Sequence, residues 1–196
     1  MNLIERVKNI LLTPKTEWLV IDTETASPQS MLMSYVLPLA IISALGRLLG
    51  GMMPGTFMGS YLVWMSIIGF ISIFIGFYIS TYVIDLLAPS FESEKNLGKS
   101  AQLVAYSNTP VWVAGFLSFI PIIGWLLAIA GWVYSIYLFY NGLGVLKKTP
   151  EDKKVVYMVV AFIVMIAITF MITAILTGVL GGILGFGMMS RGMFGM

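Results

Sequence analysis

The feature that most narrows the folds open to this chain is a recurrence of apolar runs long enough to cross a bilayer. A hydrocarbon core of about 30 Å takes roughly 20 helical residues at about 1.5 Å each. Five stretches approach or exceed that length, near Met31–Leu49, Tyr61–Leu87, Ala101–Phe119, Gly124–Leu146 and Val155–Leu180. Composition agrees: 59% of residues are hydrophobic and only 10% charged, against about 25% charged in an average soluble domain. The fold class is an all-α integral membrane protein with five transmembrane helices.

The third run is the most polar. Its first half carries Gln102, Ser107, Asn108 and Thr109 before Pro110, a pattern that fits a kinked span or a re-entrant hairpin. Charge placement decides between them, because Lys and Arg accumulate on the cytoplasmic side. Arg6, Lys8 and Lys15 precede the first run, Lys95 and Lys99 join the second to the third, and Lys147, Lys148, Lys153 and Lys154 join the fourth to the fifth. With five crossings, nine of the eleven basic residues share one side and only Arg47 and Arg191 fall on the other. The N-terminus is therefore expected in the cytoplasm and the C-terminus outside.

Residues 1–30 read as a cytoplasmic amphipathic segment. No continuous apolar core of a signal peptide is present, whereas Leu3, Ile4, Val7 and Leu11 recur at helical spacing opposite charged residues, as in a helix lying at the membrane interface. Thr13 and Pro14 open a second short helix, with Trp18 expected as an interface anchor. Residues 31–186 form the membrane domain, and residues 187–196 a flexible Gly- and Met-rich tail. Gly46 with Gly50 and Gly178 with Gly182 have the four-residue spacing that permits close helix approach, including self-association.

The chain has no Cys and no His, which removes thiolate and imidazole chemistry and the metal and haem sites built on them. No cofactor and no enzymatic activity are expected. A net charge of +2, dispersed along the chain, gives no nucleic-acid footprint. Two charges fall inside expected spans, Asp85 and Arg47, each about a turn from an end, where hydration or snorkelling is the ordinary outcome. Asn108, Thr109 and Pro110 mark a broken helix that could hold a polar site at mid-membrane. Tyr134, Tyr137 and Asn141, at i, i+3 and i+7, are placed to face it. Pro110 frees a backbone carbonyl one turn earlier, which Asn108 or Ser107 is expected to satisfy locally.

Several segments resemble the Yip family of five-span membrane proteins, whose eukaryotic members interact with Ypt/Rab GTPases, and most closely its bacterial members. They are RVKNILLTPKTEW at Arg6–Trp18 with Ile21 and Glu24, YVLPLA at Tyr35–Ala40, and the long segment from Tyr106 through Pro110 to Lys154, above all YNGLGVLKKTPEDK at Tyr140–Lys153. The resemblance implies five helices, a cytoplasmic N-terminus, a bacterial inner-membrane location and a membrane-organising role. Eukaryotic members bind GTPases through N-terminal regions much longer than these 30 residues, a departure that argues against GTPase binding here. The expected function is a non-enzymatic scaffold or adaptor whose partners are the lipid bilayer and other membrane proteins or a second copy. The alternative is a small channel or transporter with its polar site at the broken third helix.

Overall fold

The computed structural model describes residues 2–51, 59–120 and 122–193, and every regular element among them is helical. A hairpin of α1 (Leu3–Leu12) and α2 (Pro14–Thr23) is followed by α3 (Pro28–Met31), a π-helical stretch (Leu32–Val36) and α4 (Leu37–Gly51). Then come α5 (Gly59–Leu87), α6 (Leu97–Ser107), α7 (Thr109–Phe116), α8 (Ile123–Leu146) and α9 (Glu151–Met193). Four stretches are long and apolar enough to cross a membrane: Pro28–Leu49, Ile67–Phe91, Ile123–Leu146 and Glu151–Ile172.

Local sequence chemistry sets the boundaries. Asn2 accepts from the Ile4 N–H and Asn96 from the Lys99 N–H, each as a helix N-cap. Ser27 and Ser30 bond reciprocally across the start of α3, and Pro14, Pro28 and Pro110 sit in first turns, where a missing N–H removes no intrahelical bond. Ahead of Pro38 the turn widens, so that the Leu37 N–H reaches back to Leu32 O.

The expected third span, Ala101–Phe119, is instead two helices broken at Asn108. α6 is the centre of the molecule, buried continuously from Ser100 to Ser107. Its polar residues Ser100, Gln102 and Ser107 would be costly against lipid, and the fold wraps them in protein. The start of α6 lies beside the lysine-rich connections, with Ser100 bonded to Lys147, while Phe116 at the end of α7 packs on Gly46, near the far end of α4. A Cβ at Gly46 would collide with the Phe116 backbone. This glycine therefore serves contact within the chain, while Gly178 faces open space.

The N-terminal hairpin departs from the expected interfacial helix. Trp18 is fully buried, close to where a Cβ on Gly142 would sit and edge-on to Tyr106 at 6.2 Å; it is a core residue rather than an anchor at the water–lipid boundary. Leu3, Val7 and Leu11 pack on the core with buried Ile10, whereas Ile4 is 73% exposed. The apolar stripe finds a protein surface, on α6 to α8, that buries it more completely than a headgroup layer would. Tyr134 donates to Leu11 O at 2.7 Å, and Tyr134 precedes Lys147 by 13 residues, about 20 Å along a helix. The hairpin thus runs alongside α8 to near its midpoint rather than across its end.

At the other terminus, helix α9 extends to Met193, so residues 187–193 of the expected tail are helical and 194–196 lie outside the described residues. Each interior glycine costs up to about 1 kcal/mol, but the intervening Leu, Ile and Met residues favour continuation.

Candidate functional site

Three polar clusters stack along α6. The first joins its N-terminal turn to α5 and α8. Lys147, fully buried, donates from Nζ to Ser100 Oγ at 2.8 Å, Asp85 Oδ1 at 3.1 Å and Asn96 O at 3.4 Å. Three ammonium protons meet three acceptors. Ser100 Oγ lies 3.1 Å from the same Asp85 oxygen. Burial pushes the Lys147 ammonium below the ordinary lysine range, opposed by the hydrogen bond and charge of Asp85. Asp85 is therefore neither hydrated nor snorkelling; it is 6% exposed and paired. The sequence reading missed its partner, counting Lys147 only among the basic residues that join the fourth run to the fifth. The available signal was position, since Lys147 directly follows an unbroken apolar run.

The second cluster clamps the hairpin. Arg6, 5% exposed, bridges Glu17, 4% exposed, and Glu24, and its guanidinium lies 5.4 Å from the Tyr106 ring centroid, within the range of a cation–π contact. Lys99 Nζ donates to the carbonyls of Ile21, Asp22 and Glu24 at 3.3, 2.6 and 3.1 Å, a cation satisfying the open C-terminus of α2. Gln102 adds a bond to Glu24 O at 3.3 Å, and Lys148 pairs with Asp22 at 2.6 Å. Burial raises the Asp22 carboxyl, but Lys148 and Lys99 outweigh it and hold it below the ordinary carboxylate range.

The third cluster is the helix break. The carbonyl freed by Pro110 is that of Tyr106, and Thr109 answers it, its hydroxyl donating to Tyr106 O at 2.7 Å. Asn108, expected in that role, donates to Val104 O at 2.8 Å, and Ser107 Oγ has no partner. Thr109 Oγ1 has spent its one proton, so the Tyr35 hydroxyl, 2.8 Å away, donates to it. Of Tyr134, Tyr137 and Asn141, only Tyr134 comes near the break, as a wall of the groove beside Pro110. Tyr134 turns to Leu11 and stacks on Tyr137 at 5.6 Å, Tyr137 is 40% exposed, and Asn141 bonds back to Tyr137 O at 2.7 Å. The space beside Pro110, about 250 Å³, is an open groove walled by side chains such as Leu11, Val113, Leu117, Leu127 and Tyr134. It is an apolar furrow.

The break in the central helix, the hairpin clamped across it and Lys147 of the buried pair lie on the segments that carried the family resemblance, while Asp85 lies outside them. The family model described as the Yip1 domain matches residues 8–175. The chain belongs to the Yip1 domain family. No curated protein and no solved structure matches it. The matched range contains Asp85, Ser100, Lys147, Glu17, Glu24, Lys99, Tyr35 and Thr109, and leaves out Arg6. In this member the family's domain is thus all-helical, with apolar helices of membrane-crossing length. Among the described residues no cluster of carboxylates could hold a metal.

Proposed function

We propose that this Yip-family membrane protein is a non-enzymatic scaffold or adaptor that organises its membrane through the N-terminal hairpin. In this reading the chain crosses the bilayer five times, α6 and α7 together making the third crossing, with the lysine-rich end in the cytoplasm. The observation that carries it is the division of labour across the hairpin. One face is fixed to the bundle by Arg6, Lys99 and Trp18; the other presents Ile4, Leu12, Leu19 and Val20, all at least 44% exposed. Lys8 and Lys15 are exposed beside them and make no ion pair among the described residues. Apolar side chains rimmed by free cations suit an anionic leaflet or a partner helix at its surface. The transport alternative draws less support, because Tyr35, Thr109 and Asn108 spend their hydrogen bonds within the break and the adjoining groove is apolar.

Photo-crosslinkers at Leu12 and Leu19 in native membranes test this reading. Capture of lipid, or of one recurrent protein, is expected. Labels that report only bulk water at both positions would overturn it, and an ion or solute flux in reconstituted vesicles that is abolished by Thr109→Val would favour transport instead.

A further inference from the structure

All nine acidic residues lie at Glu5–Glu24, Asp85–Glu94 and Glu151–Asp152, on the segments that meet at the lysine-rich end. Arg47 is near the opposite end. On α4 it follows Ser43 by one turn, and on the neighbouring helix it packs at Gly69, which precedes Asp85 by 16 residues, about 24 Å of helix. No acidic side chain of this chain is positioned to neutralise it.

Snorkelling does not resolve the charge. Helical side chains lean toward the N-terminus of their own helix, and α4 runs from the lysine-rich end outward, so an arginine near its far end leans back toward the middle of the bundle. The structure shows that posture: Arg47 Nη2 donates to Ser43 Oγ, one turn back, at 3.1 Å. Ser43 is buried and abuts Gly115 on α7, while a Cβ at Gly69 would lie only 2.7 Å from Arg47 Nη1. Two glycines on two helices thus leave room for the guanidinium and its serine, and the guanidinium remains half-buried. Among the described residues Ser43 is its single hydrogen-bond partner, against five N–H donors in the group.

We propose that Arg47, with Ser43 and Gly69, forms a binding site for a phosphate oxyanion in the half of the membrane remote from the lysine-rich end. A guanidinium offers paired donors that match phosphate oxygens, and its inward lean draws such a ligand below the ordinary headgroup level. The oxyanion comes either from a lipid phosphodiester or from free phosphate. The site is independent of the hairpin reading, because it lies at the other end of the bundle.

The test is thermal unfolding of the full-length protein in detergent, with added phosphatidylglycerol, with diacylglycerol of the same chains, or with inorganic phosphate. A ligand that binds the folded state raises Tm with its concentration. Phosphatidylglycerol is expected to raise Tm more than diacylglycerol does, and Arg47→Gln to erase that difference. Arg47→Lys should keep part of it. Gly69→Ala, which retains the charge but sets a methyl against Nη1, should weaken it. All of these comparisons are made on a Lys8→Gln, Lys15→Gln background, which removes the hairpin cations that would themselves favour the anionic lipid, so that the difference reads the Arg47 site alone. An Arg47-dependent rise with inorganic phosphate as well upholds the oxyanion site and assigns it to free phosphate. Equal responses to the two lipids without any phosphate effect, or a preference that survives Arg47→Gln, would overturn the proposal.

Discussion

The two ends of the bundle handle charge in opposite ways. At the lysine-rich end Lys147, Lys99, Lys148, Lys153 and Lys154 each meet a carboxylate, and the most buried of these ions, Lys147, has three hydrogen bonds for its three protons. At the far end, among the described residues, the half-buried Arg47 rests on one serine. A cluster that satisfies itself holds helices in place, whereas a cation without an anion of its own is available to something outside the chain. If the comparison is right, substitutions in the paired cluster at the first end show up as lost stability and substitutions at Arg47 as altered lipid or anion response.

The largest effect is expected at Asp85 and Lys147. Removing one member of a buried pair strands the other, which costs about 3–5 kcal/mol, while replacing both with apolar residues of similar volume is often neutral or better. Asp85→Leu alone should sharply lower the unfolding midpoint in detergent, and Asp85→Leu with Lys147→Met should recover most of the loss. Arg47→Gln should leave the midpoint in lipid-free detergent nearly unchanged. Equal losses from Asp85→Leu and Arg47→Gln would erase the distinction between the ends.

The clamp on the hairpin comes next. Arg6→Gln leaves Glu17 buried without its cation, a loss of order 3 kcal/mol if the hairpin stays docked. The hairpin is expected to undock instead, because its remaining polar ties are hydrogen bonds to backbone carbonyls and the partly exposed pairs of Asp22 with Lys148 and Lys99. Hydrogen exchange of α1 and α2 should rise while that of α6 and α8 stays slow. Uniformly faster exchange would show that the hairpin and bundle form one cooperative unit.

The helix break offers a smaller and more local test. Thr109→Val leaves Tyr106 O, and with it the Tyr35 hydroxyl, without a partner, at about 1–3 kcal/mol. Pro110→Ala returns a backbone donor to Tyr106 O, so the two substitutions should couple strongly in a double-mutant cycle, whereas Asn108→Leu with Pro110→Ala should be close to additive.

Much of this was legible in the sequence, and what was not has a common cause. Apolar run length marks the four helices long and apolar enough to cross a membrane, because lipid imposes the same demand on every residue of a span. Pro110 announces the break, and Thr13–Pro14 announces a helix start, through backbone chemistry that reaches only a few residues. Periodicity also marked one apolar face of α1, but it does not reveal whether lipid or protein covers that face, and Trp18 turned out to be core. The Asp85–Lys147 and Arg6–Glu17 pairs join residues 62 and 11 positions apart, and no local rule links them. Arg6, Glu17 and Lys147 lie on segments that carried the family resemblance, so the motif pointed to three of the four residues without giving their roles, and Asp85 lies outside it. At the helix break the right chemistry was assigned to the wrong side chain: Asn108 and Thr109 are adjacent, and only the three-residue reach back from Thr109 meets Tyr106 O.

The smallest expected effect is a pH dependence carried by Lys147. Burial holds its ammonium below the ordinary value, so on raising the pH the folded protein releases this proton before the unfolded chain does, near pH 10.4. Between those two points the unfolded state binds more protons, and stability therefore rises with pH across the interval. Tyrosine ionisation in the unfolded chain begins to oppose the gain near pH 10, so the useful window ends there. The informative quantity is the difference between the native chain and the Asp85→Leu, Lys147→Met double variant, in which every other titrating group is kept. The native chain should gain on the double variant as pH climbs from 8 toward 10. A difference that stays flat would mean that Asp85 holds Lys147 charged across the whole range, and the buried pair would then titrate as one unit above it.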